Sequence, residues 1–297
     1  MMTLTDNSFD YSDVTILVNS CDLYEDSWNP FFRLLQIQWP NCPKNITLNT
    51  ESKIYKDSYF NVKSIYPSKE MKWGERLIYA LNKIDSKYIL FFLEDFFLLD
   101  KVNEEIIASA IKCMQENQDV GVIKFIPNIP ENRYDKNIVL NDYFSPIPVD
   151  FRARNAGLAA IWRKDYYLKL LRPFEDPWEF ELFGAIRSRK YPEKILAQND
   201  QYPLAFPYNI QIKYGYGITQ KKWLKNNKVL FDKYNIDVNY DNLGWYSEVK
   251  TEKVVGKKRS LKEKILMPIL NPKTFFKILQ IEIKQKIYYI RHIRNFF

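Results

Sequence analysis

Residues 14–18 (VTILV) form an unbroken apolar run rich in β-branched side chains, and the polar residues Asn19, Ser20, Cys21 and Asp22 follow at once. A run apolar at both alternating positions predicts a strand buried on both faces. Residues 28–38 carry the spacing of a helix, which Pro40 and Pro43 stop. Residues 45–48 predict a second short strand, closed by Asn49, Thr50 and Glu51. Residues 72–84 place Trp73, Leu77, Ala80, Leu81 and Ile84 on one helical face. Residues 88–93 (YILFFL) are the strongest strand signal and run straight into Glu94 and Asp95. A helix over 104–115 and a strand over 120–126 follow. This alternation predicts a mostly parallel sheet with helices on its faces.

The second half is less regular. A strand over 156–162, a helix over 165–171, a turn over 173–176, a helix over 178–189 and a strand pair over 204–216 are expected. From about residue 260 the pattern is helical in two pieces, interrupted by Pro268 and Pro272. The expected division is a catalytic domain over 1–259, with halves meeting near residue 130, and a tail over 260–297.

Composition narrows the chemistry. Eight glycines in 297 residues, with no Gly-rich fingerprint, argue against a dinucleotide site and a P-loop. The three cysteines, Cys21, Cys42 and Cys113, show no paired spacing, which fits a reducing cytoplasm. The one histidine, His292, lies near the C-terminus, so acid–base work falls to carboxylates. The first thirteen residues are polar and acidic, unlike a signal peptide, and no run is long and apolar enough to span a bilayer.

Charge is unevenly spread. Thirteen of the 44 basic residues but only three of the 36 acidic ones fall between positions 250 and 297, so the preceding 249 residues carry a net −2. A near-neutral body speaks against a nucleic-acid partner. In the tail, Phe276, Ile283 and Ile287 recur at helical spacing among Lys277, Lys284, Arg291 and Arg294. Such a pattern suits a helix lying in an anionic membrane interface. A helix packed on the body with a solvated basic face is the alternative. The expected location is the inner face of the cell membrane.

In an open α/β sheet, ligands bind beyond the carboxyl ends of the strands. Parallel topology brings three polar clusters to one edge there: residues 19–22, residues 49–51, and Glu94 with Asp95. Two adjacent acids after six apolar residues need solvent, a partner or a cation. A hard ion such as Mg²⁺ or Mn²⁺ takes one or two carboxylates plus phosphate oxygens. Ending the strand and capping the next turn is the other use of such a pair. Asp176 can cap the helix begun by Pro177, and Glu179 and Glu181 then fall in or near its first turn. Alternatively, one of these acids, set among Phe174, Trp178 and Phe180, serves as a general base, with Glu179 first and Asp176 second. Arg152, Arg154 and Arg163 either face phosphates or end strands in solvent.

The segment WGERLIYALNKIDSKYILFFLED, residues 73–95, resembles the helix–strand–acid unit of GT-A-type nucleotide-sugar glycosyltransferases. The segment AGLAAIWRKDYYLKLLRPFEDPWEFELFGAIRSR, residues 156–189, is similar to their acceptor side. The resemblance covers about residues 14–189. It implies a GT-A-like α/β fold, a nucleotide-sugar donor and a divalent cation, Mn or Mg. It also implies a lipid-linked or polysaccharide acceptor, as in bacterial surface polysaccharide assembly. Asp95 takes the place of the metal ligand, although Glu-Asp-Phe replaces the family's Asp-x-Asp. Glu94 neighbours the ribose or the metal, and Arg76 falls where a base- or phosphate-contacting residue stands. Asn19, Ser20, Asp22, Glu51 and Trp73 complete the expected donor site. Two rivals remain. A nucleotidyltransferase also wants acids after a strand but would carry a basic, Gly-rich N-terminal loop, whereas residues 19–28 hold neither Gly nor a basic residue. A non-catalytic, membrane-associated glycan-binding protein is the other.

Overall fold

The computed structural model describes residues 10–125, 141–149, 151, 154–155, 159–208 and 217–247. The chain divides into two units, Met1–Tyr246 and Ser247–Phe297, and the description concerns the first. The tail residues singled out above, from Phe276 to Arg294, lie outside the described residues, as does Arg152. Among the described residues, no helix is long and apolar enough to cross a membrane.

Eight strands form one sheet in the order β3-β2-β1-β4-β7-β5-β8-β6. They are β1 (Val14–Asn19), β2 (Ile46–Asn49), β3 (Val62–Ile65), β4 (Tyr88–Leu93), β5 (Val120–Lys124), β6 (Phe144–Pro146), β7 (Ala160–Arg163) and β8 (Lys194–Gln198). Strands β3, β2, β1 and β4 pair in parallel, as do β5 and β8. Strand β7 lies antiparallel between β4 and β5, and β6 is antiparallel to β8 at the edge. The sheet is therefore mostly parallel and flanked by helices, as the alternation predicts.

The two faces follow from strand period. Ile16, Val18, Leu90 and Phe92 point to one face, where α1 (Trp28–Gln38) and α3 (Glu104–Glu116) cover them. Leu17, Ile89 and Phe91 point to the other, under α2 (Trp73–Leu81), α4 (Lys164–Leu170) and α5 (Pro177–Ser188). Both faces are covered, which is why VTILV and YILFFL are continuous rather than alternating. A hairpin, β9 (Ile218–Thr219) and β10 (Lys222–Trp223), and α6 (Asn226–Lys233) complete the first unit. Gln220 and Lys221 turn that hairpin at positive φ, 48° and 61°.

Three expectations change. The stretch 204–208 is not a regular strand; within it, Tyr208 makes a single bridge to Leu98, and 209–216 lies outside the described residues. Arg163 is neither solvated nor turned to a phosphate. It is 5% exposed and donates to the carbonyls of Val120 (3.1 Å), Met114 (2.6 Å) and Asn117 (3.2 Å), and to Gln118 Oε1 (3.2 Å). It thus closes the carbonyl end of α3, where a cation is favoured. Arg154 is also buried, with Nη1 donating to the Val149 carbonyl at 3.3 Å.

Arg163→Met keeps the aliphatic stem but leaves those carbonyls without their donor. Denaturant titration should show a loss of about 2–3 kcal/mol. A loss below about 0.5 kcal/mol would mean water replaces the guanidinium freely.

Candidate functional site

The carboxyl ends of β1, β2 and β4 lie side by side. Asn19 pairs with both Asn49 and Leu93 in register, and Asn49 Nδ2 donates to Asn19 Oδ1 at 2.8 Å. Beyond them opens a cleft of about 490 Å³. Asn19, Ser20, Trp73, Arg76, Glu94 and Asp95 line it from the first half of the chain. Phe91, Trp162, Tyr167, Phe180 and Glu181 line it from the sheet and the second half. Thr219 and Gln220 of the hairpin turn and Trp178 at the start of α5 also border it.

Two expected donor-site acids stand behind the cleft and not in its wall. Asp22 is 8% exposed, and its Oδ1 accepts from the amides of Glu51 (3.2 Å), Ser52 (3.0 Å) and Lys53 (3.1 Å). Its Oδ2 accepts from the Ser52 hydroxyl at 2.5 Å. Burial opposes the Asp22 charge, but these donors outweigh it and hold the carboxyl below the usual range. Glu51 answers by accepting from the Asp22 amide at 3.2 Å, and its other oxygen meets Arg76 Nη1 at 2.8 Å. Asp22 and Glu51 therefore shape the loops and aim Arg76.

Glu94 and Asp95 behave differently. Glu94 is 7% exposed. Burial first, and then the neighbouring Asp95 charge, push its carboxyl well above the usual range, against the Ser20 hydroxyl and its own amide. Asp95 is likewise raised by burial, although its Oδ2 accepts from the amides of Gly217 (3.2 Å) and Ile218 (3.1 Å). Two adjacent acids in an aromatic-walled cleft are the kind of donor that a hard cation can take together with phosphate oxygens. The described residues hold no group of three or more metal-ligating side chains. Burial pushes the Cys21 thiol up to about 11, which disfavours its thiolate.

The three acids of the second half separate. Asp176 caps α5 by accepting from the Glu179 amide at 2.8 Å, and Glu179 accepts from the Asp176 amide at 3.1 Å. This capping box occupies both residues outside the cleft wall. Glu181 is the one of the three that lines the cleft. Near it lies Lys124, 1% exposed at the end of β5; burial pulls its ammonium down to about 7, against the charge of Glu181. The turn before α5 is fixed by a buried ion pair: Arg187 Nη1 and Nη2 meet the two Glu175 oxygens at 2.6 and 2.5 Å.

Sequence reasoning missed Asn155, which is 1% exposed and lines the cleft. No spacing or motif marks it. Residues 218–223 form a hairpin whose turn borders the cleft.

Asp95→Ala removes the acceptor of two amides and should cost about 1–3 kcal/mol, seen as a lowered Tm. Asp95→Asn keeps an acceptor and removes the charge that burial disfavours. A carboxyl raised in the fold contributes most stability below its unfolded value and loses it as pH rises through the folded one. The Tm of Asp95→Asn should therefore match or exceed wild type at pH 7.5, with the difference shrinking toward pH 4. A marked fall at pH 7.5 contradicts the assignment.

No protein-family model matches the chain, and no curated protein matches it either. Solved structures share its arrangement at low identity. The chain is similar to S. aureus TarS 1-349, at 14% identity over 63% of this chain and 58% of that one, with a TM-score of 0.44. It is similar to LgtC at 9% identity over 76% and 85%, with a TM-score of 0.39. A cytidylyltransferase from Leptospira borgpetersenii matches at 10% identity over 66% and 80%, with a TM-score of 0.40. The first two are GT-A-type glycosyltransferases. The likeness concerns the fold alone.

Proposed function

We propose that this chain is a glycosyltransferase that moves a sugar from a nucleotide-diphosphate donor to a hydroxyl of a membrane-linked glycan. The observation that carries the reading is the Glu94–Asp95 pair at the end of β4, the first buried and the second half-buried, in an aromatic-walled cleft shared with Arg76 and Glu181. Glu94 and Asp95 would hold a divalent cation, which when bound neutralises charge on the diphosphate. Arg76, held by Glu51, adds fixed positive charge on the same side. Glu181 is the proposed base. It takes the proton of the acceptor hydroxyl as that oxygen bonds to the anomeric carbon, and the diphosphate leaves with the electron pair of the broken C–O bond. Trp178, 77% exposed at the mouth of the cleft, offers a flat apolar surface for an acceptor sugar.

Nucleotide release across a panel of UDP-, GDP- and dTDP-sugars with Mn²⁺ tests the reading. Release of pyrophosphate from a nucleoside triphosphate would make it a nucleotidyltransferase. Glycan binding with no turnover of any donor would make it a binding protein. Glu181→Gln should lower turnover by about 10²–10⁴ with nucleotide affinity kept. Glu179→Gln should stay within about threefold in rate and lose about 0.5–1 kcal/mol of stability through the cap. The reverse pattern restores Glu179 as base.

Because cation binding needs Glu94 and Asp95 ionised and both are raised by burial, Mn²⁺-dependent nucleotide binding should weaken as pH falls below neutrality. An ordinary surface carboxylate would hold to about pH 4. Calorimetry between pH 7.5 and 5 checks this.

The tail is proposed to bind anionic lipid at the inner membrane face, with about 1 kcal/mol of attraction per basic residue near the surface. Full-length protein should pellet with phosphatidylglycerol vesicles at low salt and release at high salt. Replacing Lys277, Lys284, Arg291 and Arg294 with Gln should abolish pelleting. Unchanged pelleting would remove the tail from that role.

A further inference from the structure

The side chain of Asn155 is 1% exposed, yet neither its Oδ1 nor its Nδ2 has a hydrogen-bond partner among the described residues. A buried amide in that condition is costly, and native folds leave few of them. The cleft wall contains it, on the side that carries Glu181. The fold also makes room for it. Gly184 sits inside α5, and a Cβ there would come within 2.5 Å of Asn155 Nδ2. A glycine in a helix interior is itself unfavourable. Two local costs thus meet at one point, and both are accounted for by a carboxamide held bare beside a ligand.

We propose that Asn155 is a specificity-determining residue that reads the hydroxyl pattern of the transferred sugar. Its Oδ1 accepts from one hydroxyl and its Nδ2 donates to a neighbouring one. A carboxamide suits adjacent hydroxyls because it offers one donor group and one acceptor side by side. This rests on the reading of the cleft as a nucleotide-sugar site. It adds that one sugar is told from its epimer by this side chain, while the nucleotide is bound elsewhere in the cleft.

The experiment uses the full-length protein and epimeric donor pairs: UDP-glucose with UDP-galactose, and UDP-N-acetylglucosamine with UDP-N-acetylgalactosamine. Wild type should favour one member of a pair in kcat/KM by at least about tenfold, since a site built to bond a hydroxyl rejects its misplacement. Asn155→Leu, close in shape and without polar atoms, should bring that ratio within about threefold. Its affinity for UDP alone should stay within about twofold, and its Tm should equal or exceed wild type, because an unpaired buried amide is removed. Gly184→Ala, which crowds Nδ2, should shift the ratio in the same direction. The proposal falls if Asn155→Leu keeps the wild-type ratio. It also falls if that variant loses several degrees of Tm together with an equal loss for every donor and for UDP, since the amide would then serve the fold. Wild type that turns over no donor, and binds none more tightly than its bare nucleotide, overturns the glycosyltransferase reading and this proposal with it. Wild-type turnover with discrimination that survives Asn155→Leu overturns this proposal alone.

Discussion

Burial raises the carboxyls of both Glu94 and Asp95, neighbours at the end of an apolar strand, and the Asp95 charge raises Glu94 further. Every neighbour of Glu94 and Asp95 can be read as a response to that constraint. Strand β4 is central, between β1 and β7, and its side chains are buried on both faces. The pair is thereby fixed at the middle of the sheet's edge. The amides of Gly217 and Ile218 come from the hairpin 122 residues and more along the chain to meet Asp95. The Ser20 hydroxyl that helps Glu94 is itself held by Trp28 Nε1 at 2.8 Å. These contacts orient the two acids at the cleft.

Other charged groups near the cleft are answered within the protein. Asp22 accepts four hydrogen bonds, Glu51 pairs with Arg76, and Glu175 is clamped by Arg187. A buried ion pair such as Glu175–Arg187 is weak grounds for net stability. It does fix geometry here. Arg187 also donates to the Leu170 carbonyl from Nε (2.9 Å) and Nη2 (2.6 Å), which ties α5 to the end of α4. The Glu175 carbonyl in turn accepts from the Gly74 amide at 3.1 Å, which ties the same turn to α2. Much of the cleft's frame is thus held by groups that satisfy one another, and the Asn155 amide in its wall is not so held.

That distinction explains what the sequence could and could not disclose. The buried strands were legible because VTILV and YILFFL are apolar at both alternating positions. The polar edge was legible because each run stops at Asn, Asp or Glu, and parallel pairing lines those stops up. Strand β3 (VKSI) was not legible: it is an edge strand with one buried residue, and its sequence has no strong period. Strand β8 (KILAQ) is buried at four of its five positions, yet a short apolar run after a proline carries no sign of its class. The acids of residues 176–181 showed both uses in sequence, cap and base. Only three dimensions separate them, since a capping box is a pair of distances. Asp22 and Glu51 carried the same ambiguity, and it was resolved by where their acceptors are spent. Asn155 left no trace in sequence, because an amide's lack of partners is a property of its surroundings.

Local rules are broken at several positions around the cleft. Glu94 and Asp95 are adjacent acids, the first buried and the second half-buried, Asn155 is buried with neither side-chain polar atom paired, and Gly184 lies in a helix interior where a Cβ would fall 2.5 Å from Asn155 Nδ2. Sequences that specify one structure agree with themselves at most positions, and departures gather where function demands them. The acidic pair and the bare amide could each be relieved by a single substitution that leaves the sheet intact: Asp95→Asn or Asn155→Leu. That such relief is available, and is declined at two positions lining one cleft, is a stronger argument for a ligand there than cleft volume. It also divides the work. The acids ask for positive charge and phosphate, whereas the amide asks for neutral hydroxyls, and a sugar joined to a diphosphate is one molecule that carries both.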